Sequence, residues 1–182
     1  MRVITGSARG TRLETLDGLT TRPTTERIKE AVFSSLQFEI EGRRVLDLFA
    51  GSGQLGIEAL SRGAALAVFI DQNAEAIQVV KSNLMRAHLF DKARVLQTEA
   101  EAFLQRAADS CDILFMDPPY HQQLLEKLLP LAAPCVSAQG VLIAEGARND
   151  PMPETVGHLK LVQKKNYGKT AVGFYRDKDV DF

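Results

Sequence analysis

The sequence predicts an α/β fold whose core is a mostly parallel sheet of seven strands that ends in an antiparallel hairpin. From about residue 43 onward, short apolar runs alternate with segments of helical periodicity, which is typical of βαβ units. The last two apolar runs instead flank a short polar turn at residues 166–169, which indicates a β-hairpin. The alternation of strands and helices does not include residues 1–40, so we expect a small extension over 1–40 followed by a main domain over 41–182.

The extension is predicted to contain a small β-hairpin and one helix. Residues 1–13 alternate short β-prone pieces around Gly6 and Gly10, as hairpins do. A helix is expected from Thr25, a residue type favoured at the N-cap, to about Leu36, because apolar residues between them recur on one face.

The main domain is predicted to alternate strands and helices. The strands are expected over residues 45–49, 67–70, 94–97, 112–116, 140–145, 159–165 and 170–175, and the helices over 53–62, 73–88, 100–107 and 123–131. Ligands of a parallel sheet bind beyond the carboxyl ends of its strands, where the strand order reverses. Candidate site residues are therefore those that follow directly after a predicted strand.

Composition limits the class of protein. With 182 residues, 45% of them hydrophobic, the chain can bury one sizeable core. It has no apolar run near the roughly 20 residues that span a bilayer and no apolar signal-peptide core, so a cytoplasmic protein is expected. The net charge of −1 argues against tight non-specific nucleic-acid binding. Cys111 and Cys135 are expected to be buried, and no metal-ligand cluster is predicted.

A glycine-rich loop follows the first predicted strand and opens a helix. It contains the complete G-x-G-x-x-G pattern and is formed by Phe49, Ala50, Gly51, Ser52, Gly53 and Gly56. Glycines allow a tight turn and a close approach of the backbone to a ligand. In this strand–turn–helix context, the pattern favours a nucleotide-like ligand over a purely structural turn.

Two acids near the loop refine the predicted ligand. Asp71 ends the second strand, where an acid can accept hydrogen bonds from both ribose hydroxyls of an adenosine; the alternative is an acid that stabilises a helix start. Asp47 lies inside the first strand, where a dinucleotide-binding fold is normally apolar. An acid there suits the cationic sulfonium of S-adenosylmethionine better than NAD, by orienting the loop or through a water. A strand-end acid bonded to backbone amides remains the alternative.

The most specific feature of the chain is Asp117, Pro118, Pro119 and Tyr120, which follow a buried strand. The two prolines stiffen the backbone and remove two N–H donors. A rigid set of acceptors remains, formed by the Asp117 carboxylate and the Pro118 carbonyl, with the ring of Tyr120 beside it. A plain turn with a helix-capping acid is the alternative, but the glycine loop and Asp71 also lie at strand ends of the same sheet.

This set of acceptors fits one chemical task. The exocyclic amine of a nucleic-acid base is a poor nucleophile because its lone pair is delocalised into the ring. Two acceptors that hold its two N–H bonds favour a pyramidal nitrogen, which can attack a sulfonium methyl group. Asp117 or water takes the proton, and Tyr120 stacks on the base.

The same residues resemble a known family. The segment 47–53, Asp71 and the Asp-Pro-Pro-Tyr segment 117–120 look like the motifs of the Rossmann-like Class I S-adenosylmethionine-dependent amino-methyltransferases. Residues 1–6, Arg9 with Gly10, and Arg-Pro-Thr-Thr-Glu-Arg at 22–27 resemble the RsmD family of bacterial 16S rRNA guanine-N2 methyltransferases. The resemblance spans nearly the whole chain.

The resemblance implies transfer of a methyl group from S-adenosylmethionine to the N2 amine of a guanine in 16S rRNA. The extension is then expected to act as a cofactor lid and an RNA contact. The cofactor contacts implied are Arg22, Pro23, Thr24, Asp47, Phe49, Ala50, Gly51, Ser52, Gly53, Asp71, Gln72, Glu99, Ala100 and Asp117. Glu99 stands where Asp or Asn is expected.

Basic residues without neighbouring acids are the predicted RNA contacts. They are Arg2, Arg9, Arg12, Lys165 and Lys169, in two acid-free stretches, and each could instead be a solvated surface residue. Because the chain is small and shows no separate RNA-binding domain, the substrate is expected to be a small ribosomal subunit or an assembly intermediate. The protein is expected to be a monomer.

Four alternatives remain open on the residues. An NAD-dependent oxidoreductase would share the glycine pattern but leaves Asp-Pro-Pro-Tyr unexplained. A DNA adenine or cytosine amino-methyltransferase shares the chemistry but usually carries a target-recognition domain. A C5-pyrimidine methyltransferase needs a nucleophilic cysteine, and Cys135 does not follow the fourth strand. A non-enzymatic binding module is the last alternative.

Overall fold

The computed structural model describes residues 1–16, 23–107, 109–119 and 124–179. The helices are α1 (Pro23–Ser35), α2 (Gln54–Ser61), α3 (Ala74–Arg86), α4 (Ala100–Leu104) and α5 (Leu124–Ala132). The strands are β1 (Arg44–Asp47), β2 (Leu66–Asp71), β3 (Ala93–Gln97), β4 (Cys111–Met116), β5 (Val136–Ala147), β6 (Thr155–Val156), β7 (Leu159–Tyr167) and β8 (Thr170–Asp177).

All of these strands form one sheet in the order β3-β2-β1-β4-β5-β8-β7-β6. β1 pairs in parallel with β2 and β4, and the sheet extends in parallel to β3 on one side and β5 on the other. β8 is antiparallel to both β5 and β7. The predicted fold class is confirmed, with the two-residue β6 as an additional strand that pairs with the start of β7.

The strand order places the ligand-binding edge. The chain leaves β1 toward β2 and β3 and later returns to β4 on the other side of β1, so the order reverses between β1 and β4. The carboxyl ends of these two strands therefore bound the crevice in which open α/β sheets bind ligands.

Apolar side chains cover both faces of the sheet. One face packs against α1, α2 and α3 through residues such as Phe33, Ile57 and Leu84. The other packs against α4 and α5, with Leu104 and Leu128 among the buried side chains. Both faces of the central strands are thus covered, which explains why these strands are nearly continuous apolar runs.

The first 14 residues pack on α2 and α3 through buried polar groups of those helices. The Glu58 carboxylate accepts from the N–H groups of Ile4 and Thr5 at 2.8 and 3.1 Å. The Ser61 hydroxyl accepts from the Ala8 N–H, and Asn83 bonds both the N–H and the carbonyl of Glu14. The two arms of the predicted hairpin are joined by an isolated bridge between Arg2 and Arg12 and by backbone bonds from the Val3 N–H to the Thr11 carbonyl and from the Leu13 N–H to the Met1 carbonyl.

The bounds of some elements differ from those expected. α1 begins at Pro23, before the predicted N-cap Thr25, because proline presets the helical φ angle and lacks only an N–H that the first turn would not use. β1 ends at Asp47, although the Leu48 N–H still donates to the Phe115 carbonyl at 3.1 Å. α4 ends at Leu104, three residues early. Within the described ranges, no helix is both long and apolar enough to cross a bilayer.

Candidate active site

The glycine loop adopts a conformation that requires its glycines. Gly51 and Gly53 have φ angles of 53° and 78°, in the left-handed region that other residues rarely adopt. A Cβ atom on Gly56 would lie 2.3 Å from the ring of Phe69 on β2, so this glycine allows α2 to pack closely on the sheet. The loop therefore turns tightly from β1 into α2, at the edge where the strand order reverses.

Asp71 is bound to this loop. One carboxylate oxygen accepts from the Gly51 N–H at 2.9 Å, and the other accepts from the Asn73 N–H at 2.8 Å. A carboxylate offers about four lone-pair sites, so Asp71 can still accept from two hydroxyl groups of a ligand. Asp71 therefore links the glycine loop to the start of α3, and its contact with ribose hydroxyls stays a prediction.

Asp47 lies beneath the loop and is almost completely buried. Its carboxylate accepts from the Gly56 N–H in the first turn of α2 at 3.1 Å. Burial raises the pKa of Asp47 to about 7, the Gly56 N–H partly opposes this rise, and the negative charge of Asp71 adds to it. The bond to a backbone amide is the one expected of the structural alternative for Asp47, and its predicted part in cofactor binding stays a prediction.

Asp117 and Pro118 follow the carboxyl end of β4, beside the glycine loop. Asp117 is partly buried, Pro118 is buried, and Pro119 is exposed. Burial raises the pKa of Asp117 well above its usual value, and the negative charges of Glu145 and Asp47 raise it further. Three carboxylates thus share one end of the sheet, which favours a ligand that brings N–H donors.

A cleft opens between α1 and the carboxyl ends of β4 and β5. Ile28, Lys29 and Val32 of α1 line one side of it, and the opposite wall includes Phe115 and Ile143. The polar groups at the cleft are those of Lys29, Gln54, Asp117 and Glu145.

The polar residues of the cleft differ in their bonding. Lys29 Nζ donates to the Arg2 carbonyl at 2.8 Å and lies 3.6 Å from the Glu58 carboxylate. The Oε1 atom of Gln54 is buried and has no hydrogen-bond partner among the residues that the structure describes. This orphaned acceptor marks a position where a ligand donor would be favourable, since a buried acceptor without a partner costs free energy.

Comparison with known proteins assigns the chain to a family. The family model described as "Conserved hypothetical protein 95" matches residues 1–176. The chain belongs to this family. The predicted membership of the RsmD family is confirmed by this match together with the relatives described next.

Three relatives cover almost the whole chain. The Escherichia coli K12 protein named "Ribosomal RNA small subunit methyltransferase D" is 33% identical over 178 residues, which cover 97% of this chain and 89% of that protein. YlbH of Bacillus subtilis is 44% identical over 181 residues, which cover 97% of this chain and 98% of YlbH. The solved structure of yhhF from Escherichia coli has a TM-score of 0.88 at 34% identity and covers 99% of both chains. The predicted enzyme class, a methyltransferase, is confirmed, and the oxidoreductase alternative is dropped.

In this family member, several predicted site residues lie close together. The Thr98 N–H donates to the Asp71 carbonyl at 3.0 Å, which brings Glu99 and Ala100 beside the glycine loop. Glu99 is exposed and directly precedes α4, while the Gln72 carbonyl accepts from Gln97. Arg22 and Tyr120 lie outside the described residues, as do the side chains of Pro23 and Thr24, so their roles remain predictions.

The predicted RNA contacts divide between the two ends of the sheet. Lys169 is exposed at the β7–β8 turn, next to the carboxyl end of β5. Lys165 is partly buried, bonds the Ser35 hydroxyl at 3.2 Å and lies over the ring of Phe174. Arg9 is exposed near Ser61, at the end of α2 that leads away from the glycine loop.

Arg2 and Arg12 are also exposed, on the two sides of the N-terminal bridge. Cys111 and Cys135 are buried, and burial raises the pKa of both thiols, as expected for core residues. Across the described ranges, no group of three or more acidic, histidine or cysteine side chains is arranged to hold a metal ion.

Three residues of the cleft were not predicted from the sequence, namely Lys29, Gln54 and Glu145. Glu145 follows the apolar run 141–144, and an acid directly after an apolar strand is the signal that identified Asp71 and Asp117. The same signal could therefore have identified Glu145. Lys29 and Gln54 carry no comparable local signal, because only the packing of α1 and α2 brings them to the cleft.

Proposed function

We propose that this protein transfers a methyl group from S-adenosylmethionine to the exocyclic N2 amine of a guanine in 16S rRNA. The observation that carries the proposal is the position of Asp117 and Pro118, whose acceptors lie at the end of β4 beside the glycine loop. The relative from Escherichia coli K12 is named as a ribosomal RNA small subunit methyltransferase, which supports the substrate class.

The residues around the glycine loop fit S-adenosylmethionine. Gly51 leaves open space on the side where a Cβ atom would point, so a ligand can approach the backbone there. Asp71, which is bonded to the Gly51 N–H, is proposed to accept from the ribose hydroxyls, and the buried Gln54 oxygen can accept from the ammonium group of the methionine part. When bound, this cofactor supplies an electrophilic methyl group on a sulfonium sulfur.

The protein contributes mainly positioning and electrostatics. The Asp117 carboxylate and the Pro118 carbonyl accept hydrogen bonds from the two N–H groups of the guanine amine, which localises the nitrogen lone pair. The amine nitrogen forms a bond to the methyl carbon as the carbon–sulfur bond breaks. The amine then loses one proton to Asp117 or to water, and the products are N2-methylguanine and S-adenosylhomocysteine.

The substrate is proposed to be a small ribosomal subunit or an assembly intermediate, and the reaction to take place in the cytoplasm with a monomeric, metal-free enzyme. The near-neutral net charge supports a particle as substrate, because a weakly charged protein gains little from RNA phosphates alone. Residues 1–40 are proposed to form a cofactor lid and an RNA contact attached to the main domain, 41–182. Equal methylation of naked 16S rRNA and of the particle would contradict the particle requirement.

The test uses radiolabelled S-adenosylmethionine and small subunits from a strain that lacks the endogenous enzyme. After digestion of the RNA, the label is expected in N2-methylguanosine. Asp117→Ala should lower the rate by roughly 10²- to 10³-fold, because it removes one of the two preorganised acceptors. Calorimetric binding of S-adenosylhomocysteine to the variant verifies that the fold is intact, and Asp91→Ala, an exposed acid, is the matched control.

Label in another nucleoside would contradict the guanine assignment. Label in DNA, offered in a parallel reaction, would favour the DNA amino-methyltransferase alternative instead. Cofactor binding without label in either nucleic acid would indicate a different methyl acceptor.

A further inference from the structure

Glu145 is the nearest acid to Asp117 across the sheet. β4 and β5 pair in parallel up to Met116 and Ala144, so Asp117 and Glu145 stand opposite each other directly beyond the last registered pair. Both side chains line the cleft under α1. The negative charge of Glu145 is, after burial, the largest cause of the raised pKa of Asp117, which agrees with this short separation.

The strand order assigns the two sides of Asp117 to different ligands. The glycine loop and Gln54 follow β1, on one side of β4, whereas Glu145 ends the apolar core of β5 on the other side. The methyl donor is proposed to bind over the glycine loop. A base that is held at Asp117 from the β5 side turns the ring edge next to its amine toward Glu145.

Guanine differs from adenine and cytosine along this edge. In guanine the ring nitrogen next to the N2 amine, N1, carries a hydrogen and is a donor. In adenine and cytosine the ring nitrogen next to the exocyclic amine is an acceptor. A carboxylate accepts hydrogen bonds from the first kind of edge and is repelled by the lone pair of the second.

We propose that Glu145 accepts a hydrogen bond from guanine N1–H and thereby restricts methyl transfer to the N2 amine of guanine. This inference rests on the proposed function, because it assumes that a base amine is held at Asp117. Enzymes that act on different bases share the Asp-Pro-Pro-Tyr segment, so this segment alone does not select the base. The proposal assigns that selection to Glu145, which lies outside the segment.

Two lysines at this end of the sheet are bonded to other residues. Lys29 is engaged with the Arg2 carbonyl and with Glu58, so its ammonium group is held away from a base edge. Lys165 of β7 and Glu145 of β5 both pair with Val172 of β8, which lies between these two strands. The Lys165 ammonium group donates to the Ser35 hydroxyl.

The test compares two target bases that share the amine but differ at N1. Small subunits are assembled on 16S rRNA in which the target guanosine, once located, is retained or replaced by 2-aminopurine riboside. 2-Aminopurine keeps the 2-amine but has an unprotonated N1 and no 6-oxo group, so the Glu145 variants below are needed to assign the preference to N1. The wild-type enzyme should prefer guanine by roughly 10- to 100-fold in kcat/KM, the range expected for a hydrogen bond to a charged group.

The Glu145→Gln variant separates base reading from a structural role. The glutamine amide has nearly the same shape as the glutamate carboxylate, but it can also donate to the N1 of 2-aminopurine. The preference for guanine over 2-aminopurine should therefore narrow to about threefold or reverse. Glu145→Ala should also lose the preference for guanine over 2-aminopurine, because methylation of guanine slows while methylation of 2-aminopurine does not change. Glu126→Gln, an exposed acid on α5, should retain the wild-type preference. Calorimetric binding of S-adenosylhomocysteine should be unchanged in all variants.

The outcomes distinguish this inference from the proposed function. If the wild-type enzyme forms no N2-methylguanosine, the proposed function fails and the inference fails with it. If it methylates guanine but Glu145→Gln keeps the full preference over 2-aminopurine, the proposed function stands and the inference alone is overturned. A narrowed or reversed preference in Glu145→Gln supports both.

Discussion

Lys29 of α1 and Glu58 of α2 form a buried ion pair, with 3.6 Å between Nζ and the nearer carboxylate oxygen. Both side chains are at most 1% exposed. Glu58 also accepts from the N–H groups of Ile4 and Thr5 and from Arg62 Nε. One carboxylate therefore holds α1 and the N-terminal segment against α2, at the end of the cleft where Lys29 lies. This arrangement leads to the first prediction.

Glu58→Ala should lower the free energy of unfolding by about 3–5 kcal/mol, because it leaves the Lys29 ammonium buried without its countercharge. Glu58→Gln should cost less, since an amide oxygen can still accept from Ile4 or Thr5. The measurement is urea unfolding followed by circular dichroism. Glu30→Ala, at an exposed position of α1, is the control and should stay within about 0.5 kcal/mol of the wild type. If the free energy of unfolding of Glu58→Ala also stayed within about 0.5 kcal/mol of the wild type, the prediction would be contradicted.

Gly6 and Gly10 provide a matched pair for the docking of the N-terminal segment. Their φ angles are 90° and 85°, so a side chain at either position meets similar backbone strain, about 1–2 kcal/mol. A Cβ atom on Gly6 would lie 1.8 Å from the Ser61 carbonyl oxygen, whereas on Gly10 it would have no neighbour within 4 Å.

Gly6→Ala should therefore destabilise the protein by an additional 1–3 kcal/mol, roughly, relative to Gly10→Ala. Urea unfolding midpoints measure this difference, and limited proteolysis should cut the N-terminal segment faster in Gly6→Ala. Equal midpoints for the two variants would show that the segment does not pack against Ser61 in solution.

Asp47 makes the stability of the ligand-free protein depend on pH. Its pKa is about 7 in the folded protein and near 3.8 in the unfolded chain, so between these values only the folded state holds the proton. The stabilisation from this group is complete below pH 4 and is lost as the pH rises to about 7. Since a tenfold change in proton affinity corresponds to about 1.4 kcal/mol, the loss reaches on the order of 4 kcal/mol.

Asp47→Asn should remove this slope, because an amide carries no charge and its oxygen can still accept from Gly56. The variant should be more stable than the wild type at pH 8 and similar to it at pH 4. Chemical unfolding at several pH values measures the difference, with Asp91→Asn as an exposed control. A parallel pH dependence in Asp47→Asn and the wild type would refute this account of Asp47.

Lys169 and Arg9 test which end of the sheet contacts the RNA. Lys169 lies next to the carboxyl end of β5, near the cleft, and Arg9 lies near the far end of α2. Lys169→Ala should raise the KM for small subunits and reduce the salt dependence of binding by about one unit of slope, as expected for one lost phosphate contact. Arg9→Ala should have a smaller effect. Filter binding at several salt concentrations measures the affinity of both variants for small subunits. A larger effect of Arg9→Ala would indicate that the RNA contacts the opposite end of the sheet.

The sequence by itself determined the parts of this protein that depend on local pattern. The alternation of apolar runs with helical periodicity predicted the parallel sheet, because each strand must be covered on both faces. The glycine pattern, Asp71 and the segment that begins at Asp117 were found because each directly follows a strand, and parallel strands bring their carboxyl ends to one edge.

Only the tertiary structure decided which distant residues complete the site. Glu145 reaches Asp117 through the register of β4 and β5, which periodicity does not specify. Glu58 follows a helical pattern like any surface acid, and its burial results from the contact of α1 and the N-terminal segment with α2. Pairings of this kind join residues far apart in the chain, and the free energy that fixes them comes from burial and packing, which no local pattern records.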